Sequence, residues 1–297
     1  MNQSLRLVVV TASLGREADL FAKLASLQRQ TLDPDEFAWS VHLNLPPSDA
    51  EGLAVRLAAE APPVRLHVTG GEVLPVGAAR NRAAAAVPCN TILLSDDDVT
   101  HDPEALEAHA TFHEARRTQG ERPAVAVGAL TLPDSFRIDK EREPFERPAR
   151  LGRHASWINA TGANTSLPKS VFDAVGGYDP HWDGYGGEDP ELFVRVARTG
   201  VRFRHLAAGR GHHSGRTLED VDKARAAGAA HTHVARRHGG DVAWWLGVHP
   251  FLLAVKTVVH QGPWSRLVNP RILAYERAYA EGARHAWSEP ERRMPSS

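Results

Sequence analysis

Cysteine is nearly missing from this chain: Cys89 stands alone among 297 residues. That excludes an internal disulfide and suits a reducing compartment, so a cytoplasmic setting is expected. A dominant charge is missing too. Lys and Arg number 35 against 36 Asp and Glu, a formal net charge of −1, so no basic field recruits nucleic acid and no acidic tail is present. No internal repeat or low-complexity tract occurs. The apolar run of the opening "MNQSLRLVVVTASLGRE" is too short for a secretory leader and lacks a cleavage site, so it reads as a buried first strand. One stretch, "VAWWLGVHPFLLAVKTVVHQG" at 242–262, raises the question of a membrane. His249, Pro250 and Lys256 interrupt it short of the roughly 20 apolar residues that a spanning helix needs. It reads as a helix hairpin packed on the body or on another subunit. The alternative is attachment at a bilayer surface, because Trp244, Trp245 and Trp264 suit a headgroup boundary.

What is present is a rhythm. "LRLVVVTA", "FAWSVHLN", "VRLHVT", "NTILLS" and "PAVAVGAL" read as strands. Between them "EADLFAKLASLQRQ", with Leu20, Leu24 and Leu27 on one face, "SDAEGLAVRLAAE" capped by Ser48, "VGAARNRAAAAV" and "DPEALEAHATFHEARRTQ" read as helices. Strict alternation predicts an α/β fold, a mostly parallel sheet with helices on both faces, whose ligands bind beyond the carboxyl ends of its strands. After residue 132 the rhythm breaks. Residues 133–155 are charged and proline-rich and read as a surface loop or mobile flap beside the site. "WINATGANTSL" reads as strand-like, and everything from about 217 onward as helical. The expected division is a catalytic core over 1–216 and a helical extension over 217–297, the latter mediating self-association or membrane contact.

Three stretches carry chemistry. In "ILLSDDDV", Asp96, Asp97 and Asp98 follow a buried strand at its carboxyl end. Asp-x-Asp spacing of hard oxygen donors can hold Mg²⁺ or Mn²⁺ beneath a diphosphate, while alternation turns Asp97 to the opposite face. The plainer reading is a solvated turn, but three packed carboxylates repel one another unless a cation relieves them. Asp102 reads as an ordinary helix cap. In "GRGHHSGR", either His212 or His213 can complete the metal shell from a flexible, glycine-rich setting; His205, His231, His233 and His238 read as packing or surface residues. In "GYGGEDPELF", Pro190 suits a first helical position and puts Asp189 at the N-cap. Capping does not explain Glu188 beside it, nor Gly186 and Gly187, nor the aromatics Tyr178, Trp182 and Tyr185, which suit stacking on a sugar. A carboxylate aimed into such a pocket can serve as a general base.

"RLVVVTASLGR", "ARNRA", "ILLSDDDV" and "GGYDPHWDGYGGEDPELFVRV", in this order, resemble family 2 glycosyltransferases of the GT-A fold. The last is also similar to the "WGGED" signature of β-1,4-galactosyltransferases and the matching part of polypeptide N-acetylgalactosaminyltransferases. The resemblance covers about residues 5–216. It implies a metal-dependent inverting transfer of a sugar from a nucleoside-diphosphate donor, UDP being expected, to an acceptor hydroxyl. Asp189 would be the base, and Glu188, Trp182 and Tyr185 would hold the acceptor. Thr11, Asn44, Arg80, Asp96 and Asp97 would line the donor pocket, and Asp98 with His213 (or His212) would ligate Mn²⁺ or Mg²⁺. Asn44 stands where such proteins carry an acidic residue that reads the nucleobase, which leaves UDP, dTDP and GDP open. Two other readings compete: a non-catalytic binding descendant, which would show a broken aspartate motif or a missing base, and a sugar-nucleotide pyrophosphorylase, which needs a Lys-bearing glycine-rich loop that "TASLGREADL" lacks.

Overall fold

The computed structural model describes residues 5–131, 156–214, 221–267 and 269–289. Its centre is β1 (Leu5–Ser13), in which Val8 and Val10 face one core layer and Leu7 and Val9 the other. Successive strand residues point to opposite sides, so a strand covered on both faces must be apolar throughout. β2 (Phe37–Leu43) and β4 (Cys89–Leu94) flank β1 in parallel, and β3 (Arg65–Gly70) extends that side. β5 (Val99–His101), β6 (Ala124–Thr131), β7 (Thr165–Pro168) and β8 (Arg202–His213) complete one eight-stranded sheet in the order β3-β2-β1-β4-β7-β6-β8-β5. Its second half is mixed: β7 runs antiparallel to β4 and β6, and β5 antiparallel to β8.

Helices cover both faces. α1 (Glu17–Leu27), α2 (Pro47–Glu60) and α4 (Ala105–Thr118) pack Leu20, Leu24, Leu53, Leu57 and Leu106 against Trp39 and Leu93. α3 (Val76–Ala85), α5 (Lys169–Ala174) and α6 (Glu188–Arg198) pack Ala83, Phe172, Leu192 and Phe193 on the other side. The expected α/β architecture is therefore present, with the carboxyl ends of β1 and β4 opening on one edge.

Five local expectations need correction. Helix α6 starts at Glu188 with Gly187 as its cap residue, so Asp189 sits inside the first turn and is not the N-cap. Asp102 does not cap α4 with its side chain, which instead meets His212, and Ser48 lies inside α2 because that helix begins at Pro47. "WINATGANTSL" is strand only over Thr165–Pro168, preceded by a 3-10 turn at Trp157–Asn159. The "GRGHH" stretch is no flexible loop: it belongs to the long strand β8, held by pairing to β5 and β6. The loop foreseen at 133–155 lies outside the described residues.

Among the described residues four further helices follow: α7 (Val221–His238), α8 (Gly240–Trp245), α9 (Pro250–Gln261) and α10 (Pro270–Ser288). α7 and α10 touch backbone to backbone. A Cβ added at Gly282 would lie 1.9 Å from the Arg225 carbonyl oxygen, and one at Gly228 would lie 2.0 Å from that of Tyr279. Neither backbone can move aside cheaply. Gly282→Ala is therefore expected to destabilise the protein by about 1–3 kcal/mol or more, read as a fall in melting temperature. Gly240→Ala, where nothing lies within 4 Å of the new methyl, serves as the neutral comparison. Equal melting of both variants would show that the helices do not rely on this approach.

Candidate active site

The aspartates sit where the sheet opens. β4 ends at Leu94, and the turn behind it closes when the Val99 N–H donates to the Asp96 carbonyl at 3.2 Å. β5 then pairs with β8 so that Val99 lies opposite His213. That register carries His213 Nε2 to 3.6 Å from Asp98 Oδ1. Asp96, Asp98 and His213 each present a ligand atom, and all three lie within 4.8 Å of one another. Burial lifts the Asp98 carboxyl above its ordinary value, against the pull of His213. Two carboxylates and an imidazole form a donor set that fits Mn²⁺ or Mg²⁺. The register also separates the two histidines: His212 points the other way and pairs with Asp102 at 2.7 Å.

Asp97 faces away from the metal side, accepting from Ser13 Oγ at 2.6 Å and Arg16 Nε at 3.3 Å. Arg16, half exposed at the end of β1, also reaches Asp98 at 3.3 Å. Beneath the turn lies Lys23, wholly buried. Its ammonium donates to Ser95 Oγ at 2.6 Å and to the carbonyls of Asp96 and Val99 at 2.9 and 3.0 Å. Burial pushes its pKa down to about 7 while the three aspartates pull it up. Its three N–H bonds have three acceptors, as the ammonium form requires.

The second cluster is built on α6. Gly186 and Gly187 both have positive φ, 79° and 87°, which lets the chain turn sharply into the helix at little cost. A side chain at Gly187 would also strike Trp182, 2.5 Å from the new Cβ. The turn delivers Glu188 and Asp189 at the helix N-terminus, where the helix dipole favours negative charge. Asp189 Oδ1 accepts from Tyr178 OH at 2.9 Å and Arg80 at 3.2 Å, and Oδ2 accepts from the Gly162 N–H at 2.8 Å. Glu188 lies 3.7 Å from Arg80, and its Oε2 is buried without a hydrogen-bond partner among the described residues. Burial and the neighbouring Asp189 push its carboxyl up to about 7.

Arg80 joins the two clusters. Its guanidinium lies 2.5 Å from Asp96 on one side and 3.2 Å from Asp189 on the other. The remaining expected residues are placed differently. Thr11 is wholly buried and accepts from Trp39 Nε1 at 3.0 Å. Asn44 is locked to the backbone of Leu74 in both directions, at 2.8 and 2.6 Å. Trp182 is no open sugar platform: it is packed among Val194, Val234 and Val242, and its indole N–H donates to Gly186. Tyr185 is exposed, with Lys223 over its ring at 5.8 Å.

Three participants were missed in the sequence. Lys23 left a signal, since it falls at helical spacing within the apolar stripe Leu20, Leu24, Leu27 and is therefore buried. Arg16 left a weaker one, a cation just beyond the first strand. Gly162 left none, because its role is a backbone N–H.

An open sheet with an acid-and-histidine cluster at its strand ends and a carboxylate pair opposite is the GT-A fold. Comparison with known proteins agrees. Residues 149–216 match the family described as N-terminal domain of galactosyltransferase. Over 225 residues the chain is 25% identical to validoxylamine A glucosyltransferase of Streptomyces hygroscopicus subsp. limoneus, a match covering 66% of this chain and 48% of that protein; the chain thus spans about half the length of this curated relative. Among solved structures, the mannosyltransferase PcManGT of Pyrobaculum calidifontis, in complex with GDP-Man and Mn²⁺, superposes with TM-score 0.65 at 15% identity, over 97% of this chain and 89% of that one. TarS of S. aureus follows at TM-score 0.55 and 12% identity, over 97% and 56%. The chain resembles GT-A glycosyltransferases in sequence and in fold.

The carboxylate pair yields a pH prediction. Glu188 titrates higher folded than unfolded, so its protonated form favours the fold. The stability it contributes is complete below the ordinary glutamate value and is lost as pH rises toward about 7. Glu188→Gln cannot ionise. Its melting temperature is expected to gain on the parent between pH 5 and pH 8, and a constant offset across that range would refute the assignment.

Proposed function

We propose that this chain is a metal-dependent, inverting glycosyltransferase that moves a sugar from a nucleoside-diphosphate donor to an acceptor hydroxyl. The observation that carries the reading is Arg80, which puts a metal-competent cluster and a carboxylate pair on either side of one guanidinium. Such a transfer needs this adjacency: negative charge grows on the leaving diphosphate while a proton leaves the attacking hydroxyl close by.

Asp96, Asp98 and His213 would hold the divalent cation, which supplies positive charge against the diphosphate. Arg16, half exposed beside Asp98, is the second cation on that side, suited to meet phosphate oxygens with its fork of donors. Asp189 takes the acceptor proton, held in one orientation by Tyr178, Arg80 and the Gly162 N–H. Glu188 offers the acceptor its unpartnered Oε2, and Tyr185 an exposed ring. The Mn²⁺ and GDP-Man of the PcManGT complex support the divalent cation and the nucleotide-sugar class. UDP stays the expected nucleotide from the family resemblance, with a cytoplasmic site of action. Intact aspartates and an intact Asp189 favour an enzyme over a binding-only descendant.

Two substitutions test this reading. Asp98→Ala should remove the Mn²⁺ dependence of nucleoside-diphosphate binding, measured as the thermal shift with and without chelator; a shift that still needs Mn²⁺ would place the cation elsewhere. Asp189→Asn should cut transfer about 10²–10⁴-fold while the Mn²⁺-dependent nucleotide shift persists. Because Asp189 is a partner of Arg80 and not a cap, the variant should also melt below the parent. Near-normal transfer would remove Asp189 from the chemistry, and a melting change alone would leave it a purely structural role.

A further inference from the structure

Helices α8 and α9 carry an apolar face that the rest of the described chain does not cover. On α9, Phe251, Val255, Val258 and Val259 recur at helical spacing and are exposed, Val258 by 70%. Of the twelve residues of α9, Leu253 is the one buried in the body. Trp244 and Trp245 of α8 extend the face, exposed by 48% and 60%, and Trp244 is stacked on His249 at 4.5 Å and lies 6.0 Å from Phe251. Contiguous exposed apolar stripes of this kind suit interaction with an apolar partner.

Charge selects the occupant. Over α8 to α10, residues 240–288, the chain has five Lys and Arg against three Asp and Glu, in a protein of net charge −1. Arg277 and Arg284, both exposed, reach from α10 to the His260 carbonyl and, at 2.7 Å, to Thr257 Oγ1, so they rim α9. A second copy docked by two-fold symmetry would set these cations against their own kind. The stripe is also small: a twelve-residue helix face covers ~200 Å², whereas a standard interface needs ~800 Å² per partner. Anionic lipid meets both limits, since headgroups neutralise the rim and acyl chains take the stripe.

We propose that α8 and α9 form a docking surface for anionic lipid bilayers, lying in the headgroup boundary with the stripe of Phe251, Val255, Val258 and Val259 pressed inward. The surface lies along the bilayer and does not cross it. Gly247, at φ 71°, and Pro250 separate α8 from α9, and α9 alone is ~18 Å long against a ~30 Å hydrocarbon core. The proposal is independent of the transfer reaction.

Co-sedimentation of the full chain with vesicles tests it. Binding is expected to phosphatidylcholine vesicles containing phosphatidylglycerol, to weaken as salt rises, and to be slight with phosphatidylcholine alone. Val258→Glu should weaken binding about tenfold, the loss of part of one buried side chain; a circular dichroism melt should match the parent, since the side chain is exposed. Arg277→Glu should weaken binding to the anionic vesicles. Failure to sediment with either vesicle, equal sedimentation with both, or indifference to Val258→Glu overturns the proposal. A dimer in light scattering that Val258→Glu dissolves would assign the stripe to a second copy and likewise overturn it.

Discussion

Arg80 is a buried cation standing between part-buried carboxylates, Asp96 on one side and Glu188 and Asp189 on the other. Removing an unpaired guanidinium or carboxylate from water costs several kcal/mol. Asp96, Glu188 and Asp189 would repel one another across the cleft; one guanidinium within 3.7 Å of all three turns that repulsion into cohesion. The surroundings are cut to fit it. The Tyr178 ring lies 5.3 Å from the guanidinium carbon, and Asn81, one residue along α3, clamps the Tyr178 backbone with hydrogen bonds of 2.8 and 2.9 Å. Gly162 leaves room for it, since a Cβ there would lie 2.5 Å from that carbon and push the guanidinium aside. The ion cluster that stabilises this end of the sheet thus also fixes the positions of Asp96, Glu188 and Asp189.

The aspartate turn depends on two long-range devices. Lys23 supplies three hydrogen bonds beneath the aspartate turn, tying a hydroxyl and two carbonyls of the turn to α1. The pairing of β5 with β8 then decides which histidine faces Asp98. Side-chain period in a strand is two, so a slip of one residue would exchange His212 for His213. Pairing on both sides of β8 resists that slip.

How much of this was legible follows from the range of each interaction. The alternation of strands and helices was readable because it is local periodicity, and "ILLSDDDV" because a buried strand announces the end at which its acids emerge. "GGED" marked the start of a helix, but the cap position was put two residues too late, at Asp189. Pro190 fits the third helical position as well as the first, where its missing N–H is equally harmless, and the left-handed Gly187 took the cap. Trp182 was misjudged because an aromatic beside carboxylates reads alike whether it stacks on a sugar or on Val194 and Val234. Choosing between His212 and His213 required a strand register, and finding Gly162 required a backbone direction; neither has a residue-type signature.

The helical C-terminal part is tied to α6 by the packing of Val194 on Val234 and Val242 and by polar contacts centred on Glu191. Glu191 lies one turn into α6 and is almost wholly buried, and against that burial its carboxyl is held down at about 2 by His238 and Arg195, with Arg237 adding to them. Arg195 belongs to α6 itself, but Arg237 and His238 come from the end of α7, and Arg198 returns the contact by donating to the His238 carbonyl. Arg237 also pairs with Asp179, one residue beyond the tyrosine that orients Asp189. A displacement of α7 would therefore strand Glu191 as a buried charge short of partners and loosen the segment that carries Tyr178. α7 packs on α10 through Gly228 and Gly282, and α9 packs on α10 in turn. A continuous chain of packed helices thus runs from the exposed stripe to the Asp189 carboxylate, so the extension is placed to hold α6 in position.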